Sequence, residues 1–185
     1  MSEESSVWRA PTVLVTVGTT RFESLIDALG TAAVLRELRY GWQCEALVVQ
    51  YGTGRAPAFV AAAKALGMRV TAVAYVDDLR ALQERADVII SHAGSGSIFE
   101  ALHLHKPLVV VVNEALADNH QWELAEALAE QGHLLAARCA DLLPTLRAVR
   151  DTHWVPLSPP VSGVLTEVLR SELWDVVADA SVPPR

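Results

Sequence analysis

Cysteine is nearly missing from this sequence: Cys44 and Cys139 are the only two, far apart and in no ligand-like spacing. Their scarcity argues against a disulfide framework or a zinc cluster and predicts a reducing compartment. No apolar run approaches the roughly 20 residues that a membrane-spanning helix requires; the longest stretches lie around 108–112 and 70–76. The opening residues, MSEESSVWRAP, lack the basic stretch and apolar h-region of a secretory signal. Positive charge is scarce as well. Fifteen Lys and Arg stand against 22 Asp and Glu, a net charge of −7, which repels phosphate backbones and leaves no basic stripe for nucleic acid. A soluble, cytoplasmic chain is expected, with no nucleic-acid partner and no direct membrane span.

Familiar nucleotide and hydrolase signatures are also absent. The chain has no Gly-x-Gly-x-x-Gly after its first strand, no Gly-x-x-x-x-Gly-Lys-Ser/Thr and no Gly-x-Ser-x-Gly, which argues against an ordinary dinucleotide site, a P-loop and a nucleophile elbow. Nor is there an Asp-x-Asp of the metal-dependent sugar-nucleotide transferases; Asp77 and Asp78 are adjacent and expected to point different ways. His92, His103 and His105 invite a metal reading but lack a closing set of ligands. No metal and no cofactor is predicted.

What remains is a globular composition: 185 residues, 51% hydrophobic and 20% charged, room for one domain and too little for two full-sized ones. Aliphatic runs at 12–17, 46–49, 70–74, 88–90 and 108–112, with a short one near Leu134, alternate with helical patterns at 59–66, 78–85, 97–104 and 119–131. A further helix is announced by Phe22, Leu25, Ile26 and Leu29. Near-continuous aliphatic strands between helices predict an α/β fold, a doubly wound parallel sheet covered on both faces. The expected organisation is a flexible N-terminus over 1–11, the sheet domain over 12–152, and a Pro-rich linker opening 153–185. An amphipathic C-terminal helix over 161–177 and a frayed tail complete that last segment.

Such a sheet binds ligands beyond the carboxyl ends of its strands. The strand 88–90 runs into Ser91-His92-Ala93-Gly94-Ser95-Gly96-Ser97 and then a helix. Glycines there let backbone approach an anion, and helix-start N–H groups favour negative charge. Gly94, Ser95, Gly96 and Ser97 are therefore candidates for a phosphate cradle, with a plain strand-to-helix connection as the other reading. Glu100 also has two readings. Ser97-x-x-Glu100 matches a capping box, whereas a carboxylate one turn into the helix could accept both hydroxyls of a ribose. Gly18-Thr19-Thr20 ends the first strand at the same edge, as a second phosphate contact or as a tight turn. Asp118-Asn119-His120-Gln121 opens another helix at that edge; Asp118 or Asn119 could cap it, while amide and imidazole groups suit sugar hydroxyls, Gln121 best.

Three blocks in this order carry a family resemblance: Val15-Thr16-Val17-Gly18-Thr19-Thr20-Arg21-Phe22, then residues 90–97 with Glu100, then Lys106-Pro107-Leu108 through Glu114 with Asn119-His120-Gln121. Here the chain resembles the soluble catalytic subunits of the eukaryotic UDP-N-acetylglucosamine transferase of dolichol-linked oligosaccharide synthesis, glycosyltransferase family 28, C-terminal-domain-like. The resemblance implies a Rossmann-like lobe, one half of a GT-B glycosyltransferase. It implies that Gly18, Thr19 and Gly94 to Ser97 hold the diphosphate, and that Glu100 takes the uridine ribose. Asn119, His120 and Gln121 would hold N-acetylglucosamine, and the Val76 backbone would read uracil. His92 and His120 stand where the bacterial relative has arginine and glutamine. The implied reaction adds the second N-acetylglucosamine, β1,4, to dolichyl-diphosphate-N-acetylglucosamine. One lobe implies a membrane-anchored, acceptor-binding partner subunit at the cytosolic face of the endoplasmic reticulum. The C-terminal helix either docks on that partner or packs on its own sheet. No acid or base is assigned. Competing readings are a non-catalytic nucleotide-sugar-binding or regulatory module and a split bacterial capsule glycosyltransferase subunit.

Overall fold

A computed structural model describes residues 8–114 and 119–157, with the side chains of Asn119 and His120 left undescribed. Six strands form one sheet: β1 (Thr12–Thr16), β2 (Ala46–Gln50), β3 (Arg69–Val73), β4 (Val88–His92), β5 (Leu108–Val112) and β6 (Leu135–Arg138). Their order is β3-β2-β1-β4-β5-β6, and every neighbouring pair is parallel. The expected parallel sheet is therefore present. All five residues of β5 are buried, as a strand covered on both sides requires. Alternate residues serve opposite cores: Val13 and Val15 join one cluster, Leu14 the other.

Helices α1 (Glu23–Leu29), α2 (Ala32–Arg36), α3 (Val60–Ala65), α4 (Leu79–Arg85), α5 (Ser95–His103), α6 (Asn119–Glu130) and α7 (Leu142–Ala148) complete the described fold. The spaced apolar set of α1 is buried as the pattern predicts, with Leu25 and Leu29 fully enclosed. The chain winds outward from β1 to β3, then crosses back so that β4 lies beside β1. The crossing opens a crevice between the loops that leave β1 and β4 at their carboxyl ends.

Two elements escape the sequence reading. The first is α2, which runs into a π-turn over Glu37–Gly41; the second is α7. Both are too short to display a sustained 3.6-residue period. Pro144 also looks like a helix breaker, yet it is the third residue of α7, where its missing N–H would have no intrahelical partner. Trp42 joins the two regions. It is fully buried, its indole N–H donates to the Leu146 carbonyl at 3.0 Å, and its ring meets Trp8 edge-on at 5.7 Å.

Residues 8–11 belong to the stretch expected to be flexible, yet Trp8 packs on the core and the Ala10 N–H donates to the Trp42 carbonyl at 2.8 Å. The C-terminal helix expected over 161–177 lies outside the described residues. Both cysteines are free, and burial pushes the Cys44 thiol up to about 11. Among the described residues no helix is long and apolar enough to cross a membrane. Trp42→Ala is expected to cost ~3–5 kcal/mol in urea unfolding, because it deletes a large, fully buried core side chain. Arg80→Ala, which removes an exposed pair with Glu84, should move stability by less than ~1 kcal/mol.

Candidate functional site

A cleft of about 480 Å³ lies at the crevice between the β1 and β4 loops. Gly18 and Thr19 line one side, and Gly94, Ser95, Gly96, Ser97 and Glu100 line another. Val76 closes a third, and His92 also faces the cleft. Nine predicted site residues thus share one cavity. Gln121 is half-buried on the first turn of α6 and is not among the residues lining it. Asn119 and His120 begin the same helix, and their side chains lie outside the described set.

Local structure explains how the cleft is made. Gly94 is the N-cap of α5 in extended conformation, and the Ile98 N–H donates to its carbonyl at 3.0 Å. Ile98, Ala101 and Leu102 anchor the helix by burying its inner face. No side chain caps this start, so its first N–H groups have no partner within the helix. The helix therefore begins at Ser95, two residues before the expected 97. That placement corrects the capping-box reading: Ser97 is already the third helical residue, so Glu100 is not in position to reach back to an N-cap Ser97.

His92 forms a wedge between the two glycine loops. A Cβ on Gly94 would stand 2.5 Å from its Nε2, and one on Gly18 would stand 2.7 Å from its Cε1. Gly18 also holds φ at +62°, a region costly for any side chain. Burial pushes the imidazole below its ordinary 6.5, against a weaker upward pull from the Thr16 backbone. Nδ1 is buried with no partner at hydrogen-bonding distance. The ring is accordingly neutral at neutral pH. His103 lies at the far end of α5, with Nδ1 at 2.6 Å from the Phe99 carbonyl oxygen. Asp78 caps α4 by accepting from the Ala81 N–H at 2.9 Å, while its neighbour Asp77 lines the cleft.

The sequence reading misses four lining residues: Gln50, Tyr75, Asp77 and Leu79. Gln50 carried a usable signal, a polar residue ending the aliphatic strand Ala46–Gln50 just before Tyr51-Gly52. It is buried at 2% exposure. None of the described lining residues is Lys or Arg. An anion here would be met by backbone N–H groups, hydroxyls and the α5 dipole.

Parallel order, crevice and uncapped helix define the class, a Rossmann-like lobe of the kind that GT-B glycosyltransferases are built from. Residues 12–149 match the glycosyltransferase family 28 C-terminal domain, and the chain belongs to that family. It is 36% identical over 169 residues to the "UDP-N-acetylglucosamine transferase subunit ALG13" of Yarrowia lipolytica, a match covering 89% of this chain and 85% of that protein. Against the subunit of the same name from Homo sapiens it is 40% identical over 128 residues, covering 69% of this chain and 11% of that much longer protein. Among solved structures, Acinetobacter baumannii MurG superposes with a TM-score of 0.55 at 18% identity, over 79% of this chain and 46% of that one.

The pH dependence of stability follows from His92. A base whose folded pKa lies below its unfolded value favours folding fully above 6.5; below that, the unfolded chain takes up a proton that the folded ring resists. Stability should therefore fall as pH drops below 6.5, and His92→Gln should make that fall shallower. Guanidinium unfolding of both proteins between pH 7.5 and 5.5 measures the difference in slope.

Proposed function

We propose that this chain is the donor-binding lobe of an inverting N-acetylglucosaminyltransferase. It transfers N-acetylglucosamine from UDP to a lipid-diphosphate-linked N-acetylglucosamine, dolichyl-diphosphate-N-acetylglucosamine, with a β1,4 bond. The observation that carries the reading is the uncapped start of α5 facing the Gly18 loop across the crevice, in a chain whose relatives are named UDP-N-acetylglucosamine transferase subunits.

In this reading the N–H groups of Ser95, Gly96 and Ser97 take one side of the diphosphate, and Gly18 and Thr19 take the other. Glu100, free of a capping role, accepts the ribose hydroxyls, and the Val76 backbone reads uracil. Asn119, His120 and Gln121 hold the sugar. As the sugar–phosphate bond breaks, charge grows on the departing UDP, and prepositioned N–H groups stabilise it more than the intact donor. Helix dipole and N–H groups supply the positive potential, so the proposed reaction uses no metal.

The word "subunit" in the relatives' names supports a partner that supplies the acceptor lobe. That partner is membrane-anchored and brings this chain to the cytosolic face of the endoplasmic reticulum. The test is reconstitution of the full chain with UDP-N-acetylglucosamine and the lipid acceptor, with and without the partner lobe. Product that appears only with the partner is expected; donor binding without product in either mixture would make the chain a binding module instead. Gly96 supplies a sharper check, because an added Cβ would meet nothing within 4 Å in the protein. Gly96→Ala should raise stability by ~0.5–1 kcal/mol as a helical Gly-to-Ala change, yet weaken donor binding by crowding the diphosphate. Paired thermal melts and calorimetry read the two opposite effects.

A further inference from the structure

We infer that Gln50 is the positioning residue that couples the phosphate side of the donor site to its nucleobase side. The inference rests on reading the cleft as a site for a nucleoside-diphosphate sugar. Gln50 ends β2, and its amide bonds three groups in two segments, the end of β1 and the residue after β3. Nε2 donates to the Gly18 carbonyl at 2.7 Å and to the Ala74 carbonyl at 2.8 Å, using both of its N–H bonds. Oε1 accepts from the Thr16 hydroxyl at 2.7 Å. Thr16 Oγ1 in turn accepts from the Gly18 N–H at 3.2 Å. The Gly18 peptide groups are thus held from both ends by one buried network, and the same amide holds the segment that leads through Tyr75 to Val76.

The consequence for the ligand comes from peptide geometry. In a trans peptide the N–H lies antiparallel to the preceding carbonyl. Tying the Gly18 carbonyl to Gln50 turns the Thr19 N–H away from it, and tying the Ala74 carbonyl, which Gln50 shares with the Gly52 N–H at 3.0 Å, does the same for the Tyr75 N–H. Thr19 and Tyr75 both line the cleft. A neutral amide suits this task. It fixes two carbonyls while adding no negative charge beneath an anion. Glutamate at this position would keep the shape, lose both donors when ionised, and face two carbonyl oxygens.

Gln50→Leu and Gln50→Glu, in the full chain, test the assignment by calorimetry with UDP and with uridine. In the reconstituted complex, steady-state kinetics separates KM for UDP-N-acetylglucosamine from kcat. Both variants are expected to bind UDP and uridine about tenfold more weakly or worse, the factor that two neutral hydrogen bonds represent. KM should rise while kcat at saturating donor stays close to that of the natural chain. A lower melting temperature with unchanged Kd for UDP overturns the inference and leaves the functional reading standing. If the unmodified chain binds no UDP, alone or in the complex, the functional reading fails and this inference goes with it. Should Gln50→Leu not fold, the isosteric Gln50→Glu decides alone by the same Kd criterion.

Discussion

Unpartnered backbone N–H groups at the start of α5 are what the rest of this structure arranges. They exist because Gly94 enters the helix from β4 in extended conformation, with no side chain folding back to satisfy the first turn. They face a cleft because the sheet reverses its winding between β1 and β4 and opens a crevice there. The two cores hold that crevice at fixed width. Ile98 and Leu102 bind α5 to one face of the sheet, while Leu25 and Leu29 bind α1 to the other. A protein with a net charge of −7 and no lysine or arginine among the described lining residues can still present positive potential at one point.

His92 and Gln50 are the two side chains that hold the glycine loops on either side of that point. The imidazole fills the space that Cβ atoms on Gly18 and Gly94 would need, so glycine at both positions is a packing requirement of the ring as well as a route for close approach. Gln50 donates to carbonyls in the loops after β1 and β3, the second of which also accepts from the Gly52 N–H at 3.0 Å. Strand register makes this possible, since Gln50 pairs with Thr16 on one side and Val73 on the other. A single side chain at the end of the middle strand therefore reaches both neighbouring loops.

Much of the architecture was legible in the residues. The five-residue aliphatic run of β5 admits little besides a strand buried on both faces, and the glycine and serine cluster after β4 marks a strand-to-helix passage at the carboxyl edge of the sheet. Less was legible where tertiary packing overrides local pattern. Helix α5 begins two residues before the pattern suggests, with Gly94 as its N-cap, and that shift separates Glu100 from the capping role its spacing suggested. Short helices such as α7 carry too few residues to reveal a period, and Pro144 disguised its start. Gln50 showed in the sequence only as a polar end to an aliphatic strand; its role was not legible, because its partners lie in two segments distant in the chain. Val76 was reached only through family resemblance, since nothing in its own neighbours distinguishes it.

In the proposed site, reliance on main-chain donors would shape how this protein tolerates heritable change. Missense exchange at Ser95 or Ser97 alters a hydroxyl but leaves the amide in place, so drift there has a mild route open to it. The vulnerable positions are those that set the path of the chain, Gly18 with its left-handed backbone and Gly94 against the histidine ring. Damage would arrive through geometry, as displaced loops in a protein that still folds.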